Sequence, residues 1–161
     1  MLKQIFESEK ISFVEVSESL ADDYLIMVND YENVNRFLGR SRKVYTKQDE
    51  VEWVKKKLDD HEIVYSMIEK ESGDFIGNIE YMDVDESSKE LGIAITAKMQ
   101  DKGLGTEAIS RMIEYGFNDL GLKKIVLKTD PDNCRAIHVY VKCGFKEYDR
   151  NENDVFMEIC R

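Results

Sequence analysis

Along Ile11-Ser12-Phe13-Val14-Glu15-Val16 the apolar and polar positions alternate, the period-2 pattern of a half-buried strand. From Leu20 to Val28 the spacing becomes helical, with Ser17 or Ser19 available as a cap. Asn33 to Leu38 reads as a further helical turn ended by Gly39. Thr46 and Asp49 fit a capping box, and the helix behind them sets Val51, Val54 and Leu58 on one face with Trp53 beside them. Ile63 to Glu69 and Phe75 to Val84 read as strands joined by the turn Glu71-Ser72-Gly73-Asp74. Glu90 to Thr96 completes that meander.

Then the period changes. Ala108, Ile109, Met112, Ile113 and Phe117 predict a helix from Gly105 to Leu120, ended by Gly121. Lys124 to Thr129 is β-branched and short enough for a strand, and Asn133 to Lys142 is a helix closed by Gly144. Phe145 to Arg150 and Val155 to Cys160 form a closing hairpin. Strands and helices in this order predict an α/β (α+β) fold, a mixed central sheet with helices on both faces. With no repeat, low-complexity tract or linker, residues 1–161 are expected to form one domain.

Composition narrows the function classes. The chain has 161 residues, 42% hydrophobic and 35% charged, an ordinary globular balance. No apolar run is long enough to span a bilayer, and the N-terminal segment does not read as a signal peptide, so the cytoplasm is the expected address and no membrane partner is expected. A net charge of -10 argues against nucleic acid and offers a favourable field to a cationic amine. Cys134, Cys143 and Cys160 have no zinc-site spacing and are expected as reduced thiols. His61 and His138 are too far apart for a local metal motif, and no metal is expected.

The candidate chemistry sits at Gln100-Asp101-Lys102-Gly103-Leu104-Gly105-Thr106, between a strand and a helix. Backbone N–H groups at a helix start lack intrahelical partners and sit at the positive end of the dipole. Gly103 and Gly105 let that backbone approach phosphate oxygens, and Lys102 adds a charge. The glycines fit neither a P-loop nor the dinucleotide fingerprint. By themselves they equally suit a tight strand-to-helix turn.

Gln100, Gly103 and Gly105 match the Gln/Arg-x-x-Gly-x-Gly/Ala signature, and the segment resembles the acyl-CoA loop of the GNAT superfamily of N-acetyltransferases. Asn133-Cys134-Arg135-Ala136-Ile137-His138-Val139-Tyr140-Val141-Lys142-Cys143-Gly144-Phe145 is similar to that superfamily's Asn-x-x-Ala-x-x-x-Tyr-x-Lys-x-Gly-Phe stretch. Val34 to Leu38 and Ile76-Gly77-Asn78-Ile79 resemble the subgroup that holds ribosomal-protein, polyamine and antibiotic acetyltransferases. Glu90-Leu91-Gly92-Ile93 is similar to its Glu-Ile-Gly-Tyr strand, with Ile93 where an aromatic is usual.

The resemblance implies acetyl-CoA as acyl donor and a primary amine, of a small molecule or a peptide N-terminus, as acceptor. It implies that pantetheine pairs with the backbone of Ile93, Ala94 and Ile95, where an N–H near Ile93 or Ala94 polarises the thioester carbonyl. The loop residues Gln100, Lys102, Gly103, Leu104, Gly105 and Thr106 would hold the pyrophosphate. Asn133 would either cap its helix or hydrogen-bond pantetheine, two roles that compete for one amide. Tyr140 would protonate the leaving thiolate, and Glu90, or secondarily Glu80 or a water chain, would take the amine's proton. The segment from Tyr24 to Phe37, with Asp30, Tyr31, Glu32 and Asn35, would face the acceptor, whereas Trp53, a further candidate for that side, is expected rather to pack in the core. Dimers are common in the superfamily, which leaves a homodimer open. A CoA-binding module without catalysis and a transferase of a longer acyl group remain the alternatives.

Overall fold

The structure, a computed structural model, describes residues 1–38 and 43–161. The chain builds two compact units: residues Met1–Glu80 with Ile93–Leu104, and residues Tyr81–Gly92 with Gly105–Arg161.

The first unit starts with β1 (Gln4–Glu7) and β2 (Ile11–Glu15), an antiparallel pair. A 3-10 turn, Glu18–Leu20, leads into α1 (Ala21–Asn29). Ser17 caps that turn by accepting from the Ser19 N–H, whereas α1 itself has no side-chain cap. The turn expected at Asn33 to Leu38 is a 3-10 turn over Asn35–Phe37; its expected terminator, Gly39, lies outside the described residues. In α2 (Lys47–Asp59) the capping box is present in both directions. β3 (Ile63–Glu69) and β4 (Phe75–Asp83) follow, and β5 (Ser88–Ile95) runs from the second unit back into the first. Strand order in the first unit is β1-β2-β3-β4-β5.

Its core holds Tyr24 and Met27 of α1, Val54 of α2, Val14, Val64 and Phe75 of the strands, and Ala94 of β5 packed against them. Tyr24 meets Trp53 and Phe75 edge-on at 5.5 and 5.4 Å. A directed hydrogen-bond chain crosses this otherwise apolar core. Ser66 Oγ donates to Asn78 Oδ1 at 2.7 Å, so Tyr24 Oη, 2.6 Å away, donates to Ser66 while accepting from the Ser17 N–H.

The second unit holds the ends of β4 and β5, α3 (Leu104–Asn118), β6 (Lys124–Thr129), α4 (Cys134–Lys142), β7 (Lys146–Arg150) and β8 (Val155–Cys160), with strand order β4-β5-β6-β8-β7. β6 is parallel to β5 and antiparallel to β8, so the sheet is mixed, as expected. Gly116 lets α3 lie close over Tyr81, whose hydroxyl donates to the Met112 carbonyl at 2.6 Å. Gly121 and Gly144 take positive φ just after α3 and α4, where a left-handed residue ends a helix.

Candidate active site

The parallel ladder between β5 and β6 covers only Ser88–Glu90 against Lys124–Val126. Residues 91–95 of β5 therefore carry backbone groups that this ladder does not use. Their direction follows from two contacts. The Ala94 carbonyl lies against Gly77 of β4, and the Thr96 N–H donates to the Ile76 carbonyl at 2.9 Å. Successive strand residues point their backbone groups to opposite edges, so Ile93 and Ile95 present theirs away from β4. The Ile95 carbonyl confirms this by accepting from Gln100 Nε2 at 2.8 Å. Of the two N–H groups expected near the thioester, that of Ile93 is the outward one.

Gln100 is thus a brace. Its amide ties the loop to the end of β5 and also reaches the Asn33 carbonyl at 3.4 Å. Beyond it Asp101 and Gly103 take φ of 60° and 79°, and the chain enters α3 at Leu104. A Cβ added to Gly103 meets nothing within 4 Å, so open space lies beside this backbone. The first-turn N–H groups of Leu104, Gly105 and Thr106 have no intrahelical acceptor. Leu104 buries its side chain, leaving its backbone as the part that can serve a ligand, and Lys102 is exposed. These features fit a pyrophosphate: N–H groups without an intrahelical acceptor, a dipole end, a nearby ammonium and room.

Asn133 resolves the expected competition. Its Oδ1 accepts from the Ala136 N–H at 3.3 Å and caps α4, while no bond among the described residues engages Nδ2. The cap uses the oxygen and leaves the amino group to donate. Two turns on, Tyr140 is 7% exposed, with its ring edge-on to Phe145 at 5.9 Å. Burial, with a smaller contribution from Cys143, pushes its hydroxyl up to about 12. Among the described residues no hydrogen bond engages that hydroxyl, and Ser8 Oγ is the fully enclosed side-chain polar atom that lacks a partner. The Tyr140 hydroxyl therefore keeps its proton and still meets accessible space.

The two candidate bases differ. Glu90, half-buried on β5, has no ion pair or hydrogen bond among the described residues. Glu80 is held by Lys57 Nζ at 3.1 Å, and the same ammonium lies 2.7 Å from Glu62. Sequence reading missed this pair because its members are far apart along the chain. In the expected acceptor segment, Tyr24 is fully buried and spent in its hydrogen-bond chain. Asn35 is buried and donates to the Val28 and Lys43 carbonyls. Asp30 accepts from Asn33, and Tyr31 and Glu32 are exposed. Cys134 and Cys160 are exposed free thiols, whereas Cys143 is half-buried, donating to the Thr106 carbonyl at 3.6 Å. No helix among the described residues is long and apolar enough to cross a membrane.

The fold is that of an acetyltransferase domain, as the comparisons show. Residues 10–146 match the acetyltransferase (GNAT) domain model, and the chain belongs to that family. It is similar to spermidine N(1)-acetyltransferase of Vibrio cholerae, 34% identical over 83 residues, 50% of this chain and 48% of that protein. It is also 42% identical over 50 residues to aminoglycoside N(6')-acetyltransferase type 1 of Klebsiella pneumoniae, 31% of this chain and 25% of that protein. The match thus spans about half or less of these relatives. The fold resembles the crystal structure of the V. cholerae spermidine N-acetyltransferase with CoA and spermine, with a TM-score of 0.83 and 22% identity, covering 95% of this chain and 96% of that one.

Proposed function

We propose that this chain, as one domain over residues 1–161, transfers an acetyl group from acetyl-CoA directly to a primary amine of a small molecule or peptide N-terminus. The observation that carries the proposal is Tyr140: a buried phenol, held protonated, whose hydroxyl no hydrogen bond among the described residues engages. The first-turn N–H groups of α3 and Lys102 hold the pyrophosphate, with Gly103 and Gly105 allowing the approach. Pantetheine adds to the outward edge of β5 at Ile93 and Ile95 and accepts from Asn133 Nδ2. The Ile93 N–H polarises the thioester carbonyl.

The amine nitrogen attacks that carbonyl carbon, and the C–S bond breaks as the C–N bond forms. Thiols titrate near about 8.5, whereas burial pushes Tyr140 up to about 12. Complete proton transfer from the phenol is therefore uphill by roughly 5 kcal/mol. Tyr140 acts as a hydrogen-bond donor that stabilises the departing sulfur, and the proton lost by the amine balances the step. Glu90, which has no ion pair or hydrogen bond among the described residues, receives that proton directly or through water. The net charge of -10 supports a cationic acceptor and speaks against a nucleic-acid partner.

The test is release of free CoA from acetyl-CoA with spermidine, an aminoglycoside and peptide α-amines. Amine-dependent release above the hydrolysis background is expected. CoA binding by calorimetry without any amine-dependent release would make the chain a CoA-binding module instead.

A further inference from the structure

Helix α2 sets Glu50, Trp53, Val54 and Lys57 on one stripe, at the spacing that faces a helix to a core. Val54 belongs to the core that includes Tyr24, and Trp53 and Ala94 pack against it. Glu50 holds a position where an apolar residue is expected, and it is 5% exposed. No hydrogen bond or ion pair among the described residues engages its carboxylate. The nearby Lys43 is paired with Asp49 at 3.4 Å, and Lys57 with Glu62 and Glu80. Because Ser8 Oγ is the fully enclosed unpartnered polar atom, the remaining exposure of Glu50 includes its carboxylate oxygens. The stem is buried and the charge opens onto accessible space.

A carboxylate so placed is costly to ionise without a partner, and burial holds its pKa above the usual carboxylate range. A bound cation would remove that cost. We propose that Glu50 is the ammonium anchor of the acceptor subsite, a specificity-determining residue that takes a primary amine or polyamine carried as its cation. The inference rests on the proposed amine acetylation and extends it to a group outside the expected acceptor segment. Glu80, whose charge Lys57 already balances, does not fill this role. Val54, one helical turn on from Glu50, shares a core cluster with Tyr24, and Ala94 of β5 packs against that same cluster.

Two measurements on the wild-type chain and on Glu50→Gln test it. Calorimetric titration of spermidine and of a monoamine into the protein without CoA reads the anchor alone. Glu50→Gln should weaken binding about tenfold or more, since a charge-assisted hydrogen bond is lost, while CoA affinity stays within about twofold. In the CoA-release assay the acceptor KM should rise by a similar factor with kcat less affected, and Glu50→Asp should recover part of the loss. Thermal unfolding of Glu50→Gln should show no loss of stability, because the glutamine fills the same space without charge. Unchanged amine affinity in Glu50→Gln, or no amine binding by the wild-type chain, overturns the anchor. Amine binding that depends on Glu50 without acetyl transfer would keep the anchor and overturn the proposed reaction.

Discussion

The Ala94 carbonyl lies directly against Gly77, and a Cβ built there would stand 2.9 Å from both the Ala94 carbonyl carbon and the Ile95 Cα. All the obstructing atoms are backbone, so no rotamer change relieves the clash. Gly77→Ala must push β5 away from β4 along the stretch proposed to meet pantetheine. We expect a stability loss of about 1–3 kcal/mol, typical of overpacking, together with at least about tenfold weaker acetyl-CoA binding. Urea unfolding and calorimetry read the two effects. Native-like affinity in the folded variant would mean that β5 tolerates the shift and that its edge is not the cofactor contact.

Asn133 separates capping from binding by atom. Asn133→Asp retains an oxygen for the Ala136 N–H but replaces the free amino group with a second, negative oxygen. Its thermal midpoint should match the parent, while CoA affinity falls about tenfold. Asn133→Ala should lose both, with about 1 kcal/mol of stability gone. If Asp and Ala variants bind CoA equally well and like the parent, the residue is a cap and nothing more.

What the sequence made legible was local. The Thr46–Asp49 capping box, the hairpin turn near Gly73, the start of α3 and the Asn133 cap depend on residues within a few positions of one another. The motif residues of the site are legible for the same reason. β1 was not, because its four residues gain their reason from Phe6 stacking on Phe13 across the β1–β2 pair at 4.5 Å. Nor was the direction of each backbone group on β5, which the approach to Gly77 settles. Lys57 neutralising Glu80 joins α2 to β4, and Glu50 looks like an ordinary helix-start acid until the helix is seen to face it inward. Non-local pairing decides these features, and periodicity does not record it.

Tyr140 makes two linked predictions. Tyr140→Phe keeps the ring packed against Phe145 and removes the hydrogen-bond donor, so kcat should drop at least about tenfold while CoA affinity changes little. The same residue affects alkaline stability. Its folded pKa is raised, from 10.0 to about 12, so the folded state binds the proton more tightly than the unfolded chain. The contribution is complete below about pH 10 and is lost as pH rises toward about 12. Its full size is about 2–3 kcal/mol. Denaturant midpoints between these pH values should fall less steeply in Tyr140→Phe than in the parent. Equal slopes would show that the hydroxyl is not held neutral by burial.

Glu90 and Glu80 lie on neighbouring strands and differ in what they touch, which makes them a controlled pair. Glu90→Gln removes a carboxylate that has no partner among the described residues. It should lower kcat by about 10²-fold or more and flatten the acidic limb of the kcat/KM profile, leaving unfolding nearly unchanged. Glu80→Gln removes one of the two carboxylates on Lys57, whose side chain is 17% exposed. Glu62 still holds that ammonium at 2.7 Å, so the stability loss should be about 1 kcal/mol, with the pH profile retained. Both carboxylates cannot serve as the base in the same way, since one is already neutralised by a protein cation. Profiles measured from pH 5.5 to 9 in the two variants decide between them. A flattened limb in Glu80→Gln with a normal one in Glu90→Gln would transfer the base to Glu80 and require Lys57 to release it. Normal limbs in both would leave water as the acceptor of the amine's proton.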